Sequence, residues 1–352
     1  MAILHGDEVA DLVTTTLNGL PKGDFTDNSL DLNELVAMNR LLKKGTVKFE
    51  SSGTKLEFDV MVDHNHSAAM VGLGQVITPN DRDVMIKGEI PWRHMNNYFL
   101  IEERMVSMNR SPSKIVDYLK TRRIAGQISG AKKMEEQFWN KPSSSSDEEN
   151  AYGVPFYVVY NATQGFNGAA PTGFTTVANI NPSTYTRWKN WSANYTAIAK
   201  TDLIRKMRRG MFEIDFKPPV KDIPETKRGA HRYGIYTVYE VRSKVEELLE
   251  AQNDNLGKDV ASMEGDAQIF KVPLVAVPQL KDSAVADSDP VYMLDWATFF
   301  PVFLEGEYMM EQKPIRLSLQ PRTLVTHTHN TFNFKNTDRR RQAVFAKAAP
   351  FA

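Results

Sequence analysis

Residues 55–63, KLEFDVMVD, alternate so regularly that the surrounding fifty residues have few ways to fold. Leu56, Phe58, Val60 and Val62 fall on one side of an extended chain. Lys55, Glu57, Asp59 and Asp63 fall on the other, and Met61 alone is out of step. The preceding TVKFE reads as a strand that SSG turns back into this one. After the Gly-containing stretch VGLGQVITPNDRD, the run DVMIKGEI reads as the returning strand. The segment from about 46 to 95 is therefore a long ribbon of two or three strands with no helix to cover it. Such a ribbon is marginal by itself and exposes unpaired edges. It needs a partner, and the most economical one is a neighbouring copy of the same chain.

Composition removes several other classes. The 43 Lys and Arg cancel the 43 Asp and Glu, so bulk attraction to nucleic acid or acidic lipid is not the chain's main property. There is no cysteine, which excludes disulfide frameworks, thiolate metal sites and cysteine nucleophiles. The first residues, MAILHGDEVADLV, are acidic and lack the basic-then-apolar order of a signal peptide. No window approaches the roughly 20 apolar residues that span a bilayer. Synthesis in a cytoplasm and no membrane partner are the expectations.

Residues 1–30 alternate short apolar patches with GDE, NGLPKGD and TDNS and read as an extended arm. A helix is expected from Asp31 to Lys44, with Asp31 and Glu34 as a capping box, Leu32, Leu35, Val36, Met38 and Leu42 as its apolar face, and Gly45 as its stop. Ser111 and Pro112 open the longest helical signal, since proline is well placed at a first helical position. Val116, Leu119, Ile124, Ile128, Ala131, Met134 and Phe138 mark one face of a rod of about 40 Å. Gly126 and Gly130 mark a bend or a close crossing on it. KPSSSSDEEN (141–150) reads as a surface loop or boundary. Strands and helices then alternate: GVPFYVVYN as a strand, a helix from Thr201 to Met211, YGIYTVY as a strand leading into the helix EVRSKVEELLEAQ, and FKVPLVAVPQL and DPVYMLDW as strands before a strand-rich tail. The class is α+β.

This order resembles the major capsid proteins of tailed bacteriophages, whose fold is shared with encapsulins and the floor of herpesvirus shells. Four stretches carry the resemblance. IPWRHMNNYFLIEERMVSMNRSPSKIVDYLKTRR (90–123), with Glu103 and Asn109 ahead of the helix, is similar to the passage from extended loop into spine helix. FTTVANINPSTYTRWKNW (174–191) is similar to an axial-domain segment, although 178–182 depart from that pattern. YTVYEVRSKVEELL with FKVPLVAVPQL, and DPVYMLDWATFF, are similar to axial-domain elements and to a late strand that re-enters the peripheral domain.

The resemblance implies five parts: an N-terminal arm with short helix (1–45), an extended β loop (46–95), a peripheral domain with spine helix (96–150), an axial domain (151–289) and a return to the peripheral domain (290–352). It implies a non-enzymatic subunit that forms pentamers and hexamers and closes an icosahedral head around double-stranded DNA, located in the virion and in the host cytoplasm during assembly. Its partners would be itself, a separate scaffolding protein, a portal, non-specifically packaged DNA and, in some shells, a decoration protein. Because the arm begins close to Met1, no proteolytic maturation of the chain is expected. The alternatives are an encapsulin-like nanocompartment shell and, well behind it, a metal-dependent hydrolase.

Candidate contact residues follow from charge and pattern. Arg205, Lys206, Arg208 and Arg209 on a helix, with Arg339, Arg340 and Arg341, could meet DNA phosphates or a neighbouring subunit. A solvated, salt-bridged face is the more ordinary reading of such runs. Leu56, Phe58, Val60, Val62, His64 and His66 are the expected intersubunit contacts of the β loop. His64-Asn65-His66 and His327-Thr328-His329 could each place two imidazoles on one strand face. A metal site also needs a third ligand and a pocket, so an interfacial role is preferred and no metal or cofactor is expected. Trp188, Trp191, Tyr195, Trp296, Phe299 and Phe300 divide evenly between core and interface readings. No phosphate-binding glycine loop, nucleophile elbow or HExxH pattern occurs.

Overall fold

The protein is described by a computed structural model over residues 35–41, 47–63, 68, 70–73, 84–108, 112–216, 232–253, 268–269, 272–282 and 288–347. The chain forms two compact units. The first comprises 1–53, 92–136 and 302–333, and the second 54–91, 137–301 and 334–352.

In chain order the elements begin with helix α1 (Met38–Leu41), strands β1 (Lys48–Glu50), β2 (Lys55–Met61), β3 (Met85–Pro91) and β4 (Arg93–Glu102), and helices α2 (Glu103–Met108), α3 (Pro112–Phe138) and α4 (Val154–Tyr157). Next come β5 (Gly165–Gly168), β6 (Asn190–Asn194), a π-helical turn (Lys200–Ile204), α5 (Arg205–Glu213), β7 (Tyr233–Thr237) and α6 (Tyr239–Asn253). The last are β8 (Gln268–Ile269), β9 (Val272–Ala276), α7 (Gln279–Asp282), β10 (Val291–Asp295), β11 (Phe299–Leu304), β12 (Met310–Glu311), β13 (Ile315–Leu317), β14 (Gln320–Asn336), a 3-10 turn (Arg339–Arg341) and β15 (Ala343–Ala346).

In the first unit the long helix α3 starts at Pro112, as the sequence predicts, and buries Leu119, Ile128, Ala131 and Met134 at helical spacing. Gly126 and Gly130 sit where β4 passes beneath. A Cβ on Gly126 would stand 3.4 Å from the Phe99 ring, and one on Gly130 would stand 3.3 Å from Asn97 Nδ2. Asn97 also donates to the Gly126 carbonyl, which ties strand to helix. The two glycines therefore mark a close crossing. Arg123, buried on the same helix, pairs with Glu311 at 2.7 Å. β4 runs antiparallel to β14 over ten register pairs, from Arg93↔Phe332 to Glu102↔Thr323. β14 also carries β11, β12 and β13, and β1 joins the far side of β11.

The second unit is built on a seven-stranded sheet in the order β5-β6-β15-β10-β7-β9-β8. Val291, Met293, Ile235, Leu274 and Phe345 from its strands meet Leu203, Met207 and Met211 from the π turn and α5, and Val241 and Val245 from α6, in one apolar core. The ribbon β2–β3 belongs to this unit and pairs antiparallel from Lys55↔Pro91 to Met61↔Met85.

Several expectations need correction. TVKFE does not turn back onto β2. Its strand, β1, pairs in parallel with β11, Lys48↔Val302 to Glu50↔Leu304, some 250 residues along the chain. GVPFYVVYN is not a strand: Val154–Tyr157 is a helical turn with Pro155 near its start and all four residues buried. A short apolar run looks alike in a strand and in a buried turn, and proline favours the helix start. Of the helix expected over 31–44, Met38–Leu41 is helical and 35–37 form the turn that leads into it, while 31–34 and 42–44 lie outside the described residues. The stretch 141–150 is a loop, as expected, and a tightly bonded one. Asp147 accepts from the backbone of Ser143, Glu149 and Asn150 and from the Ser143 hydroxyl and Asn150 amide. Burial pushes its carboxyl up, but these donors together hold it well below the usual carboxylate range.

Candidate functional site

The ribbon's inward face does not await a neighbour. Leu56 and Val62 are buried within their own chain, and Phe58 is nearly so. The Phe58 ring lies 6.4 Å from that of Trp188 and 5.1 Å from Lys335 Nζ, while Lys335 also reaches the Glu57 carbonyl at 3.4 Å. Leu56, Phe58 and Val62, expected as intersubunit contacts, are thus already buried in the single chain, Phe58 against Trp188 and Lys335. Val60 is half-buried, and His64 and His66 lie outside the described residues. Contact-making potential sits on the other face and the outer end. Met61 and its register partner Met85 are 62% and 51% exposed, and Met70 and Leu73 are fully exposed. Met61 was the one position that broke the alternation, and that irregularity is the signal the pattern argument passed over.

A second apolar surface lies on the first unit's sheet. On β4, Phe99 and Ile101 are buried while Tyr98 and Leu100 are exposed. Register puts Leu100 beside Val325, and Val325 beside Ile315, in one row. Ile315, Leu317 and Leu319 are exposed at the β13–β14 hairpin. His327 and His329 stand in the same sheet with their rings stacked 5.9 Å apart, and His327 Nδ1 lies 3.2 Å from the Asn96 side-chain amide. Among the described residues, no group of three or more His, Asp or Glu side chains could hold a metal ion. Among them too, no helix is long and apolar enough to cross a membrane.

The basic residues divide. Arg205, Arg208 and Arg209 are exposed on α5, with Arg209 4.0 Å from Glu213. Lys206 is turned inward, donating to the Asn194 carbonyl at 2.7 Å and pairing with Asp202 at 2.7 Å. Burial raises the Asp202 carboxyl, but Lys206 and the backbone N–H groups of Ala197 and Thr196 outweigh it and draw it down to about 2. A depressed folded-state value stabilises the turn above the unfolded carboxylate range, and that stabilisation fades as pH falls toward 2. Amides of 196–204 should therefore keep their hydrogen-exchange protection at pH 4 and lose it toward pH 2. Asp202→Asn should remove that pH dependence.

Arg339 is not a surface contact at all: it is 0% exposed. Its Nε donates to the Tyr157 carbonyl at 2.7 Å, and one terminal nitrogen donates to the Trp188 carbonyl at 2.7 Å. The other donates to the Ala169 and Gly168 carbonyls at 2.8 and 3.3 Å and to Asn190 Oδ1 at 3.2 Å. Its reading as a DNA or neighbour contact is corrected, since no atom of it reaches the surface. Arg340 stacks on Phe166 at 3.9 Å, and Arg341 pairs with Asp338 at 3.2 Å and Asp295 at 3.6 Å. Trp188, Trp191, Tyr195, Trp296, Phe299 and Phe300 are all core residues.

No protein-family model matches the chain, and no curated protein matches it. Solved structures do. The chain is similar to a protein of the cyanophage A-1(L) capsid asymmetric unit, at 12% identity and a TM-score of 0.60, over 95% of this chain and 98% of that one. It is similar to a chain of the capsid of an empty GTA particle, at 13% identity and a TM-score of 0.55, over 95% and 96%. It is also similar to a chain of the bacteriophage PhiM1 mature capsid, at 10% identity and a TM-score of 0.51, over 93% and 90%. At such identities the match speaks for backbone arrangement, and it runs through both units from end to end: the chain has the capsid-subunit fold of tailed bacteriophages.

Proposed function

We propose that this chain is a major capsid protein: a structural subunit, not an enzyme, that associates into pentamers and hexamers and closes an icosahedral head around double-stranded DNA. One observation carries the reading. The fold match spans at least nine-tenths of both chains for three separate capsids. The exposed surfaces support it. A two-stranded ribbon with a methionine pair and an apolar end, and a sheet on which Leu100 and Ile315 stay exposed on either side of the buried Val325, are more than scattered surface residues. Repeated over many copies, contacts of this size sum to a stable shell while each single step stays reversible.

In this reading the exposed Arg205, Arg208 and Arg209 face packaged DNA or a neighbouring subunit. A separate scaffolding protein, a portal and, where the shell carries one, a decoration protein complete the set of partners. The subunit works in the virion after assembly in the host cytoplasm. Electron microscopy of the expressed chain, alone and with a candidate scaffolding protein, tests this directly. Rings of five and six subunits or closed particles are expected. A compact monomer at high concentration under both conditions would overturn the proposal, and particles filled with an enzyme instead of DNA would redirect it to a nanocompartment.

A further inference from the structure

Helix α1 is described over the four residues Met38–Leu41, and a single turn of this length does not hold itself in water. What holds it lies 98 residues away. Glu135 of α3 is fully buried, and both its oxygens accept from the Ala37 N–H at 3.0 Å. One of them also accepts from the Met38 N–H at 2.8 Å. Within α1 the backbone adds Asn39 N–H to the Leu35 carbonyl and Leu41 N–H to the Ala37 carbonyl. Ala37, Met38 and Leu41 are buried on the same unit. The sequence predicts none of this, since the helical stripe of α3 gives Glu135 no role.

We propose that Glu135 is a clasp for the N-terminal segment. It is a single buried carboxylate that keeps residues 35–41 on their own subunit, and its loss frees them without unfolding the helix that carries it. The physical case is the mutual dependence of the two sides. If the segment leaves, the buried carboxylate loses the three bonds that the Ala37 and Met38 N–H groups give it. If the carboxylate goes, two backbone N–H groups are stranded in the core. Charge-assisted bonds of this kind are stronger than neutral ones, so the segment is either seated or released, with little between. Such a two-state element is what a subunit needs if it is to hand its first residues to a neighbour. That purpose rests on the shell reading, whereas the clasp itself is a property of one chain.

Hydrogen exchange on the purified, unassembled full chain tests it. In Glu135→Gln, which keeps the shape but turns one acceptor into a donor facing an N–H, the amides of Met38–Leu41 should exchange about 100-fold faster. Peptides from 119–134 of α3 should stay within about threefold of the wild type. Ala37→Pro attacks the same bonds from the donor side without touching α3 and should give the same pattern. The double variant should be no worse than the worse single one. Unchanged protection at 38–41 in both variants, or loss of protection spreading through α3 in both, would overturn the clasp. If Glu135→Gln fails to fold, Ala37→Pro decides alone. Absence of shells by microscopy, with protection at 38–41 behaving as described, would count against the capsid reading and leave the clasp standing.

Discussion

Replacing Arg339 by methionine should destabilise the second unit by about 4 kcal/mol, and replacing it by lysine by about half of that. Among the described residues no carboxylate pairs with the guanidinium, and burial pushes it down to about 9, so it remains charged at neutral pH. What makes that tolerable is its planar fork, which meets five acceptors in one place: the carbonyls of Tyr157, Trp188, Gly168 and Ala169 and the side-chain oxygen of Asn190. Those acceptors come from α4, the turn before β6, the end of β5 and β6 itself, so one side chain fastens α4 and that turn to the β5–β6 ladder, in which Gly168 and Asn190 are register partners. Methionine fills much of the volume but satisfies none of the acceptors. Lysine brings three donors on a flexible stem and cannot reach all five. A carbon at Gly168 would overlap the Asn190 amide, which shows how closely the acceptors are drawn in. Urea unfolding followed by the fluorescence of the second unit's tryptophans reads the loss. Arg340→Met, which removes a partly exposed stack on Phe166, serves as the control and should cost about 0.5–1 kcal/mol. A loss near 1 kcal/mol for Arg339→Met would mean the acceptors find other donors, and the staple would be an incidental contact.

That residue also shows where sequence reasoning stops. Arg339, Arg340 and Arg341 form one basic run, and charge runs are ordinarily solvated. The turn begun by Asp338, whose carboxylate accepts from the Arg340 N–H, sends the three side chains in different directions, and only the first goes inward. A hint was present, since the run is flanked by FNF and AVFA, which are buried throughout. Periodic features were legible. The alternation of β2 named its buried face correctly, and Pro112 to Phe138 was bounded almost to the residue. Local pattern says that a face is covered but never by what, so Leu56 and Phe58 were assigned to a neighbour when their own chain covers them. It likewise could not choose β11 as the partner of β1, because that pairing depends on residues about 250 positions away. Glu135 was invisible for the same reason: its partners include two backbone N–H groups, which carry no sequence signature.

Phe138→Ala should cost about 4 kcal/mol, as much as any apolar truncation in the chain. This last residue of α3 was read only as the end of a helical stripe, yet its ring is the centre of an aromatic cluster. It is stacked at 5.6 Å and 12° on Trp296. It meets Trp139, Phe299 and Phe334 edge-on, with centroids 5.0, 5.3 and 5.1 Å away. Edge-to-face and offset pairs add to the burial of the ring itself. Each neighbour is held by another partner as well: Trp296 donates to the Tyr236 hydroxyl, Phe299 packs edge-on against Tyr157, Trp139 leans on Tyr236 and Phe334 stacks on Phe299. Truncation therefore leaves a cavity that stays open, the circumstance in which such changes cost most. Phe138→Leu keeps part of the volume and should cost about half as much. Phe212→Ala, at a ring that is 84% exposed, should change stability by no more than about 0.5 kcal/mol. Thermal and urea unfolding of the three purified variants measures the order. If Phe138→Ala fell no further than Phe212→Ala, the cluster would not be what holds the end of α3 in the second unit.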